Sequence, residues 1–471
     1  MLASAYVCAA CSIDAARPAP TKLPAAFQQA APDAQPKWPE TNLLREFSSD
    51  ELNRLSALAE QNNFDITAAM ARVRQADAQA RQAGAAILPA LDANGTATEF
   101  TGRSGGTSGR ELDWGALLSA SYEVDFWGKN RAAAQVARAR VAVSRDELAT
   151  VRITALAGVA STYFELQSLR ERLALGKLDL ENAEKLLEVV EARYSNGSMN
   201  AAGVAAQRAA VANARLPVEQ LQQQQIEALG ALALLVGAIP EGFEVKTEPL
   251  AAIHEPELSA GLPSELLQRR PDVMAAEDNL VAAHADLTAA RAALFPSLTL
   301  SVAGGLQNPA IQAGVLILPG TGPALNLSGA LVQSIFDGGR RRGVIAQATG
   351  REEELLADYH GAIVSALIDV ESALGQRRHL DAQRESQEDN LTQSERAFEA
   401  AQLRYRAGSA QFLAVLGAQR VLYAAREQLA QYRLSRLQAA LGLAKALGGG
   451  WQKRASGTSG AFSEPAIART D

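Results

Sequence analysis

The stretch "LDWGALLSASYEVDF", from Leu112 to Phe126, alternates in character with a period of two. Its odd-numbered positions are polar or glycine, except for Leu117, and its even-numbered positions are all apolar: Leu112, Trp114, Ala116, Leu118, Ala120, Tyr122, Val124 and Phe126. This alternation predicts a β-strand with one apolar and one polar face. Because most of the surrounding sequence reads as helix, the strand raises a question: its apolar face must pack either on protein or on lipid.

The composition of the chain favours closely packed helices and excludes several functions. The chain has 471 residues, of which 48% are hydrophobic but only 5% aromatic, and its net charge is −7. An alanine-rich composition suits helices, and a negative net charge is unfavourable for a nucleic-acid-binding protein. No run of about 18 apolar residues occurs, so no transmembrane helix is predicted. Any contact with a membrane must therefore use strands, a lipid anchor or both.

Both cysteines, Cys8 and Cys11, lie near the N-terminus in "AYVCAACS". They allow three interpretations: a C-x-x-C redox or metal pair, a small disulfide, or lipoprotein processing at Cys11. Small residues precede Cys11 and a Pro/Ala-rich tether follows it, which favours signal-peptidase cleavage and a covalent lipid on Cys11. Only ten residues precede Cys11 and none of them is basic, so the usual signal peptide is incomplete. No other cofactor and no metal is expected, because the four histidines are scattered.

The chain contains an internal duplication. "AILPALDANGTAT" is followed by "SYEVDFWGKNRAAAQ", and about 207 to 211 residues later "ALFPSLTLSVAGG" is followed by "LVQSIFDGGRRRGVI". Matched order at a nearly constant offset is typical of repeated structural units. Each repeat predicts strand, loop, strand, long helix, turn and helix, with strands near 88–101, 112–126, 295–307 and 324–336. The Gly/Ser/Pro-rich segments between paired strands, such as "TGRSGGTSGR", are expected to be hairpin loops.

The helices of this pattern are unusually long. No proline occurs from Lys129 to Arg193, and a helix of that length would extend for roughly 100 Å. Apolar residues recur three and four apart from Leu166 to Tyr194, which predicts a coiled-coil seam rather than an ordinary amphipathic helix. Glycine follows Arg-Tyr at Gly197 and again at Gly408, where a left-handed residue would end each long helix and let the chain reverse.

The predicted strands answer the opening question. Strands of about 10–14 residues can cross a bilayer when tilted, but four strands cannot close a barrel. An open sheet in lipid leaves unsatisfied backbone groups at its edges. If the apolar faces contact lipid, several protomers must therefore pool their strands, and three protomers would supply twelve. The long helices would then continue the barrel as a tube, which describes a conduit.

Several motifs of the chain resemble those of a known family. "LLQRRPDVMAAEDNLVAAHADLTAARAALFPSLTLSVAGG" (Leu266–Gly305), "VLGAQRVLYAARE" and the two Arg-Tyr-x-x-Gly turns are similar to sequences of the TolC-like outer-membrane efflux proteins, and most of all to their NodT-type lipoprotein branch. The resemblance extends over about 40–450. It implies a mixed α and β membrane protein, in which four transmembrane strands per protomer contribute to a trimeric 12-stranded β-barrel. A long periplasmic α-helical barrel, built from the internal duplication, would continue it.

The resemblance also implies the organisation of the chain and its partners. Residues 1–39 would hold the signal remnant, lipidation site and tether, and 40–236 the first repeat with its turn at 194–198. An equatorial segment would follow at 237–265, the second repeat at 266–448 with its turn at 405–409, and a tail at 449–471. The partners would be two further copies, a periplasmic adaptor (membrane fusion) protein, an inner-membrane resistance-nodulation-division transporter and outer-membrane lipid. The protein would be no enzyme but a lipid-anchored outer-membrane exit channel for small molecules.

Two sets of residues carry family roles by resemblance. The helical-hairpin turns would dock the adaptor, through Tyr194, Gly197, Ser198, Tyr405, Gly408 and Ser409. The periplasmic gate would lie on the last long helix, where the family pattern L-x-x-L-D-A-Q-R has a leucine and, four residues later, an aspartate. Leu413 matches the leucine, but Gly417 occupies the aspartate position. We therefore expect a hydrophobic constriction at Leu413, no ring of carboxylates, and Arg420 as the nearest charge.

Two alternatives stay open on the sequence. A type I secretion channel for proteins would share the conduit architecture. A lipid-anchored periplasmic coiled-coil scaffold would explain the heptads and Cys11, but not two hairpins of bilayer length. Neither the exported substrate nor the particular pump can be read from the sequence.

Overall fold

The chain is mostly helical and has one four-stranded sheet. The computed structural model describes residues 23–29, 36–39, 43–104, 107–308 and 322–451. The first half contains a 3₁₀ helix at Leu43–Phe47 and then, in order, α1 (Asp50–Asn62), α2 (Phe64–Ala85), β1 (Ala90–Ser104), β2 (Thr107–Val124), α3 (Lys129–Ser195) and α4 (Ala201–Leu235). The second half has a short 3₁₀ turn at Leu250–Ala252, followed by α5 (Pro263–Leu266), α6 (Pro271–Ala292), β3 (Ser297–Asn308), β4 (Gly322–Val332), α7 (Arg340–Arg406) and α8 (Phe412–Ala446).

The helices reproduce the duplication in their lengths. Helices α3 and α7 have 67 residues each, and α4 and α8 have 35 each. From Lys129 to Arg340, the first residues of α3 and α7, the numbering advances by 211 (340 less 129). From Ala90 to Ser297, where β1 and β3 begin, it advances by 207 (297 less 90). The four extra residues of the second repeat therefore lie between its two strands.

The sheet belongs to the first of two compact units, whose described part comprises residues 69–147 and 274–362. Its strands are antiparallel in the order β1-β2-β3-β4. The register aligns the apolar rows of neighbouring strands, since Ala120 pairs with Val302 and Val302 with Leu327. One continuous apolar face results, and its large side chains are exposed in the protomer: Leu91, Trp114, Leu118, Leu300, Val302, Leu306, Leu325, Leu327 and Leu331.

The opposite face of the sheet is polar, and the two outer edges are open. The Asn94 side-chain amide donates a hydrogen bond to the Ser119 hydroxyl at 3.1 Å, and Ser301 pairs with Ser328. Strands β1 and β4 each pair on one side only among the described residues. The alternation predicted from the period of two thus produces one apolar and one polar surface of the sheet.

The strand ends differ from the sequence-based expectation at two places. The expected loop "TGRSGGTSGR" is largely strand, because Ser104 pairs with Thr107 and backbone pairing needs no particular side chain. Residues 105 and 106 lie outside the described residues, as does most of the second loop, 309–321. Strand β4 ends at Val332 and not at 336, because its partner β3 begins at Ser297, which already pairs with Val332.

The second unit contains the main core and the ends of the helical hairpins. Its described part comprises residues 148–273, 363–451, 43–68 and the short segments 23–29 and 36–39. Tyr163 and Phe164 of α3 are fully buried, and the Phe164 ring lies 5.2 Å from that of Phe47. Along the predicted seam of α3, Leu166, Leu169, Leu173, Gly176, Ala183 and Val190 are buried, whereas Tyr194 is exposed. The seam therefore faces protein over most of its length and ends before the turn.

The segment "RRPD" is structural. Helix α6 begins at Pro271, a favourable first helical position. The buried Arg270 guanidinium donates to both carboxylate oxygens of Asp272, at 3.0 and 2.6 Å, and forms an ion pair with Asp369 at 2.9 Å. Arg270 therefore joins the start of the second repeat to α7. Among the described residues, none of the helices is apolar enough over a sufficient length to cross a membrane.

Candidate functional site

The candidate site is the end of the helical hairpins, where the chain reverses twice. After α3, the Gly197 amide donates to the Tyr194 carbonyl at 3.0 Å and the Ser198 amide to the Arg193 carbonyl at 2.9 Å. The φ of Gly197 is +72°. These two bonds and the left-handed residue form a Schellman motif, which satisfies carbonyls that the end of the helix leaves free. The Ser198 hydroxyl adds a bond to the Arg193 carbonyl at 3.0 Å.

The second turn repeats this geometry bond for bond. The Gly408 amide donates to the Tyr405 carbonyl at 3.0 Å, and the Ser409 amide donates to the Arg404 carbonyl at 2.9 Å. The φ of Gly408 is +71°, and the Ser409 hydroxyl also reaches the Arg404 carbonyl, at 3.1 Å. The shared pattern Arg-Tyr-x-x-Gly-Ser therefore specifies the same turn in both repeats. All four glycine and serine residues of the two turns are exposed.

The two turns pack against each other through a small apolar cluster. Val190, Val204 and Phe412 are buried in it. The Tyr405 ring lies 5.4 Å from the Phe412 ring, and the Arg193 guanidinium lies 4.6 Å above the Tyr405 ring, a distance typical of a cation–π contact. The two turns are thus held as one surface.

The two tyrosines of the turns have different environments. Tyr405 packs on the cluster, whereas Tyr194 is 50% exposed. The duplication predicts them to be equivalent, but only one can occupy the space between the hairpins. Of the two, Tyr194 is the side chain available to another molecule.

The three predicted gate residues share one face of α8. Leu413, Gly417 and Arg420 are spaced four and three apart, and all three are exposed in the protomer. Leu413 is 69% exposed, while its neighbours Phe412 and Val415 are buried on the opposite side. A Cβ atom at Gly417 would meet no atom within 4 Å. This face of α8 is therefore apolar at Leu413, has no side chain at Gly417, and has a positive charge at Arg420, about one turn further on.

Polar contacts connect the rest of α8 to α3 and α7. The Gln419 amide donates to Asp179 at 3.2 Å, and Arg172 pairs with Glu427 at 2.7 Å. Asp179 and Gln419 line a cavity of about 370 Å³. Burial raises the pKa of the Asp179 carboxyl, and the hydrogen bond from Gln419 and the charge of Arg426 oppose this shift. Helix α8 is thus joined to α3 partly through polar and charged pairs.

Other parts of the sequence-based site lie elsewhere or outside the described residues. Cys11, the predicted lipidation site, lies outside the described residues. Further along, the Gln28 and Gln29 amides donate to the two carboxylate oxygens of Glu371, at 2.6 and 3.0 Å, and Phe27 is buried. Residues 28 and 29 of the segment that follows Cys11 are therefore bound to α7. No group of three or more His, Cys, Asp or Glu residues suited to a metal occurs within the described part of the chain.

Comparison with known proteins assigns this architecture to a family. A model of the outer membrane efflux protein family matches residues 55–238 and 262–449, the two repeats. The chain belongs to this family. The resemblance read from the RRPD segment and the two turns is thereby confirmed.

Relatives of this efflux-family protein agree with that assignment. The pyoverdine export outer membrane protein OpmQ of Pseudomonas aeruginosa is 42% identical over 451 residues, which cover 94% of this chain and 93% of OpmQ. The probable outer membrane lipoprotein SilC of Salmonella typhimurium is 31% identical over 408 residues, covering 86% and 87%. The crystal structure of the outer membrane protein VceC from Vibrio cholerae matches with a TM-score of 0.78 at 30% identity and covers 87% of this chain and 99% of VceC.

These findings establish the broad function. The efflux-family protein is an outer-membrane component of an efflux pump, and it resides in the outer membrane. Its family and relatives are transport proteins. A scaffold without a transport role does not fit this assignment.

Sequence reasoning missed several residues of the efflux protein's hairpin ends. Arg193 was noticed only as part of the turn pattern, and its stacking on Tyr405 is a contact between residues 212 apart (405 less 193). Phe412 could have been noticed as the aromatic residue that begins α8, directly after the turn. The partnership of Asp179 with Gln419 had no local signal, since the two residues belong to different repeats.

Proposed function

We propose that three copies of this efflux protein pool their strands into one 12-stranded transmembrane barrel, which the paired helices continue as a periplasmic α-helical barrel. The observation that carries this proposal is the sheet, which has an exposed apolar face and two unpaired edges, β1 and β4. In lipid each unpaired edge group costs several kcal/mol, so the edges need partners. Two copies would supply eight strands and three would supply twelve, and the resemblance to the TolC-like channels favours three.

The duplication supplies a register for the interface between copies. Within one protomer β2 pairs with β3, with Val124 opposite Leu298 and Tyr122 opposite Leu300. The equivalent pairing between copies joins β4 of one copy to β1 of the next. Each β2 residue is replaced by the β4 residue 211 positions later, and each β3 residue by the β1 residue 207 positions earlier. This places Ile335 opposite Leu91 and Gln333 opposite Ala93. Strand β4, which ends at Val332 in the protomer, would then lengthen along its new partner.

Cysteine cross-linking tests this register. Opposite residues of antiparallel strands have Cα atoms about 4.5–5.5 Å apart, within the range for a disulfide. In a background with Cys8 and Cys11 replaced by serine, Gln333→Cys with Ala93→Cys should cross-link into trimers. The matched control is Gln333→Cys with Asn94→Cys, because a shift of one residue points the side chain to the other face. Cross-links in the control alone would overturn the register.

We propose that the paired hairpin ends contact the periplasmic adaptor. The exposed Tyr194 and the exposed turn residues Gly197, Ser198, Gly408 and Ser409 support this role, whereas Tyr405 supports the surface from within. Tyr194→Ala should therefore weaken co-purification with the adaptor and leave the fold intact. Leu216→Ala, which truncates an exposed side chain of α4 that is 62% accessible, is the matched control. Equal binding by both variants would remove Tyr194 from the docking surface.

We propose that Leu413 forms a hydrophobic constriction at the periplasmic end of the pore. Three carboxylates at position 417 would repel one another and attract cations, whereas glycine supplies no charge. The closed state should therefore be less cation-selective than that of a channel with aspartate at this position, and Arg420 supplies the nearest charge. The open space around Gly417 means that Gly417→Asp can be made without a steric conflict.

Planar-bilayer recording tests the channel and the gate together. The parent protein should give stepwise currents, and Gly417→Asp should raise the preference for cations over anions. Gly350→Asp is the matched control, since Gly350 is an exposed helical glycine whose Cβ would also meet no atom within 4 Å. If Gly417→Asp behaves like the parent, residue 417 does not face the pore. A protein that never conducts, even after Leu413→Ser, would contradict the conduit itself.

The remaining proposals concern organisation and anchoring. The division into 1–39, 40–236, 237–265, 266–448 and 449–471 is retained, with the helical hairpins in the periplasm. The efflux protein would work with an adaptor and an inner-membrane resistance-nodulation-division transporter to export small molecules. The likeness to SilC, a probable outer membrane lipoprotein, supports a covalent lipid on Cys11. Cys11→Ala should abolish both the covalent lipid and the cleavage before residue 11, so the intact mass of the extracted protein should become that of the unprocessed, unmodified chain.

A further inference from the structure

The two junctions between strand and long helix differ in their charge. At the first junction, residues 123–131, the Lys129 ammonium pairs with Glu123 at 2.5 Å and Arg131 pairs with Asp125 at 3.3 Å. Asp125 also accepts hydrogen bonds from the amides of Asn130 and Arg131, at 3.1 and 2.9 Å. Two carboxylates therefore balance two cations, and this junction is neutral.

The second junction, residues 334–342, has lost both carboxylates. Advancing the first junction by 211 residues replaces Glu123 by Ser334 and Asp125 by Phe336. The cations Lys129 and Arg131 become Arg340 and Arg342, and Arg341 is added between them. The junction thus has three arginines and the single aspartate Asp337, which leaves a net charge of +2.

Within the described ranges, Arg341 is the one arginine of the three whose side chain has a polar partner. Arg341 donates to the Ala293 carbonyl at 2.8 Å and lies 3.7 Å from Asp337. Arg340 and Arg342 are exposed and pair with no carboxylate among the described residues. Cations near the beginning of a helix are disfavoured by the helix dipole, so these two side chains do not serve helix stability. Their charge is available to a partner.

The unpaired arginines lie beside the end of the apolar face. Ile335 is 98% exposed and Phe336 90% exposed. Ile335 also continues the apolar row Leu327, Leu331, Ile335 at intervals of four residues, so it extends the oily surface of β4 to the junction. A cationic pair next to an exposed apolar row matches a lipid, in which a phosphate lies next to acyl chains.

A second copy of the chain supplies only one of the two missing carboxylates. In the protomer the first junction faces the start of β3, where Glu123 pairs with Thr299, and the equivalent segment that the next copy would bring to the second junction is residues 85–92, "AAILPALD". Its one acidic residue, Asp92, would lie opposite Ser334. Pairing between copies would therefore lower the net charge of the second junction from +2 to +1 and leave one arginine of the Arg340 and Arg342 pair without a counter-charge.

We propose that Arg340 and Arg342 bind the phosphate of an anionic phospholipid at the membrane surface where β4 joins α7, with Ile335 and Phe336 against its acyl chains. This inference rests on the proposed membrane-spanning sheet. It makes the protomer asymmetric towards lipid, because only the second repeat has the site. Three copies would thus hold three such lipids, one at each junction between β4 and α7.

Lipid retention measured by native mass spectrometry tests the proposal. The full-length protein is reconstituted in phosphatidylcholine with increasing phosphatidylglycerol, and the bound phosphatidylglycerol is counted. Each arginine near a membrane surface strengthens the binding of anionic lipid by about fivefold, so Arg340→Gln/Arg342→Gln should weaken it by about 25-fold. Ser334→Glu, which restores the carboxylate of the first repeat beside Arg340, should weaken it by about fivefold.

The matched control is Lys177→Gln/Arg396→Gln, which removes two exposed positive charges from the long helices and should retain phosphatidylglycerol like the parent. Equal retention by the parent and Arg340→Gln/Arg342→Gln would overturn the proposal, as would displacement of the lipid by inorganic phosphate alone. Planar-bilayer currents of the same preparations distinguish a failure of the lipid site from a failure of the proposed barrel. A conducting parent without a lipid preference refutes only the lipid site, whereas a parent that neither inserts nor conducts refutes the proposed barrel.

Discussion

Replacing Gly408 by alanine isolates the conformational requirement of the second hairpin turn. The φ of Gly408 is +71°, and a Cβ atom there would meet no atom within 4 Å. The cost of the substitution is therefore not a clash but the left-handed backbone, which destabilises an L-residue by about 1–2 kcal/mol. An energy of that size changes the population of a locally opened turn by about 5- to 30-fold.

Gly417→Ala is also a glycine-to-alanine substitution, but it should stabilise the protein, whereas Gly408→Ala should destabilise it. Gly417 lies inside α8, is exposed, and would also have a Cβ without neighbours within 4 Å. Because glycine in a helix interior is about 1 kcal/mol less favourable than alanine, this variant should be more stable. The two variants should thus differ by about 2–3 kcal/mol, although both add one methyl group in open space.

Hydrogen exchange resolves these local effects. In Gly408→Ala, the amide of Ser409, which donates to the Arg404 carbonyl, should exchange about 5- to 30-fold faster. In Gly417→Ala, exchange in the first turns of α8 should slow down by up to about fivefold. Gly197→Ala should reproduce the Gly408 result at its own turn, since its φ is +72° and its surroundings are open. Unchanged exchange in Gly408→Ala, or the same sign in both variants, would refute the reasoning.

Two further substitutions test the contacts around the long helices. Arg270→Met removes a buried cation from two half-exposed aspartates and should lower the free energy of unfolding by about 1.5–3 kcal/mol. Arg351→Met, at a fully exposed ion pair, should lower it far less in the same denaturation assay. Asp179→Asn should stabilise the protein at neutral pH, because burial raises the pKa of this carboxyl and its charged form is disfavoured in the folded state. The parent should therefore lose stability as the pH rises from the pKa of an unfolded aspartate, about 3.9, through the raised pKa of the folded state. Asp179→Asn should lack this loss. Parallel profiles of stability against pH for the two proteins would contradict the prediction.

The pattern of residues along the chain was sufficient to predict the helices and strands and which face of each is apolar. The alternation within residues 112–126 predicted strand β2, whose apolar residues Trp114 and Leu118 lie on the exposed apolar face. The heptad spacing in α3 predicted buried positions such as Leu169 and Val190. The family resemblance carried by the RRPD segment was confirmed. All of these are local or periodic signals, which a single sequence contains in full.

Other features required the folded chain because they depend on residues that are distant in sequence. The end of β4 is set by where β3 begins, and the unequal burial of Tyr194 and Tyr405 arises because one space between the hairpins can hold one ring. The duplicated sequence predicts two equal turns, and packing between the hairpins makes their tyrosines unequal. Periodicity along the chain therefore determined which face of each element is apolar, whereas only the tertiary structure decided which copy of a repeated residue is buried and which is left free for a partner, since that depends on what packs against it.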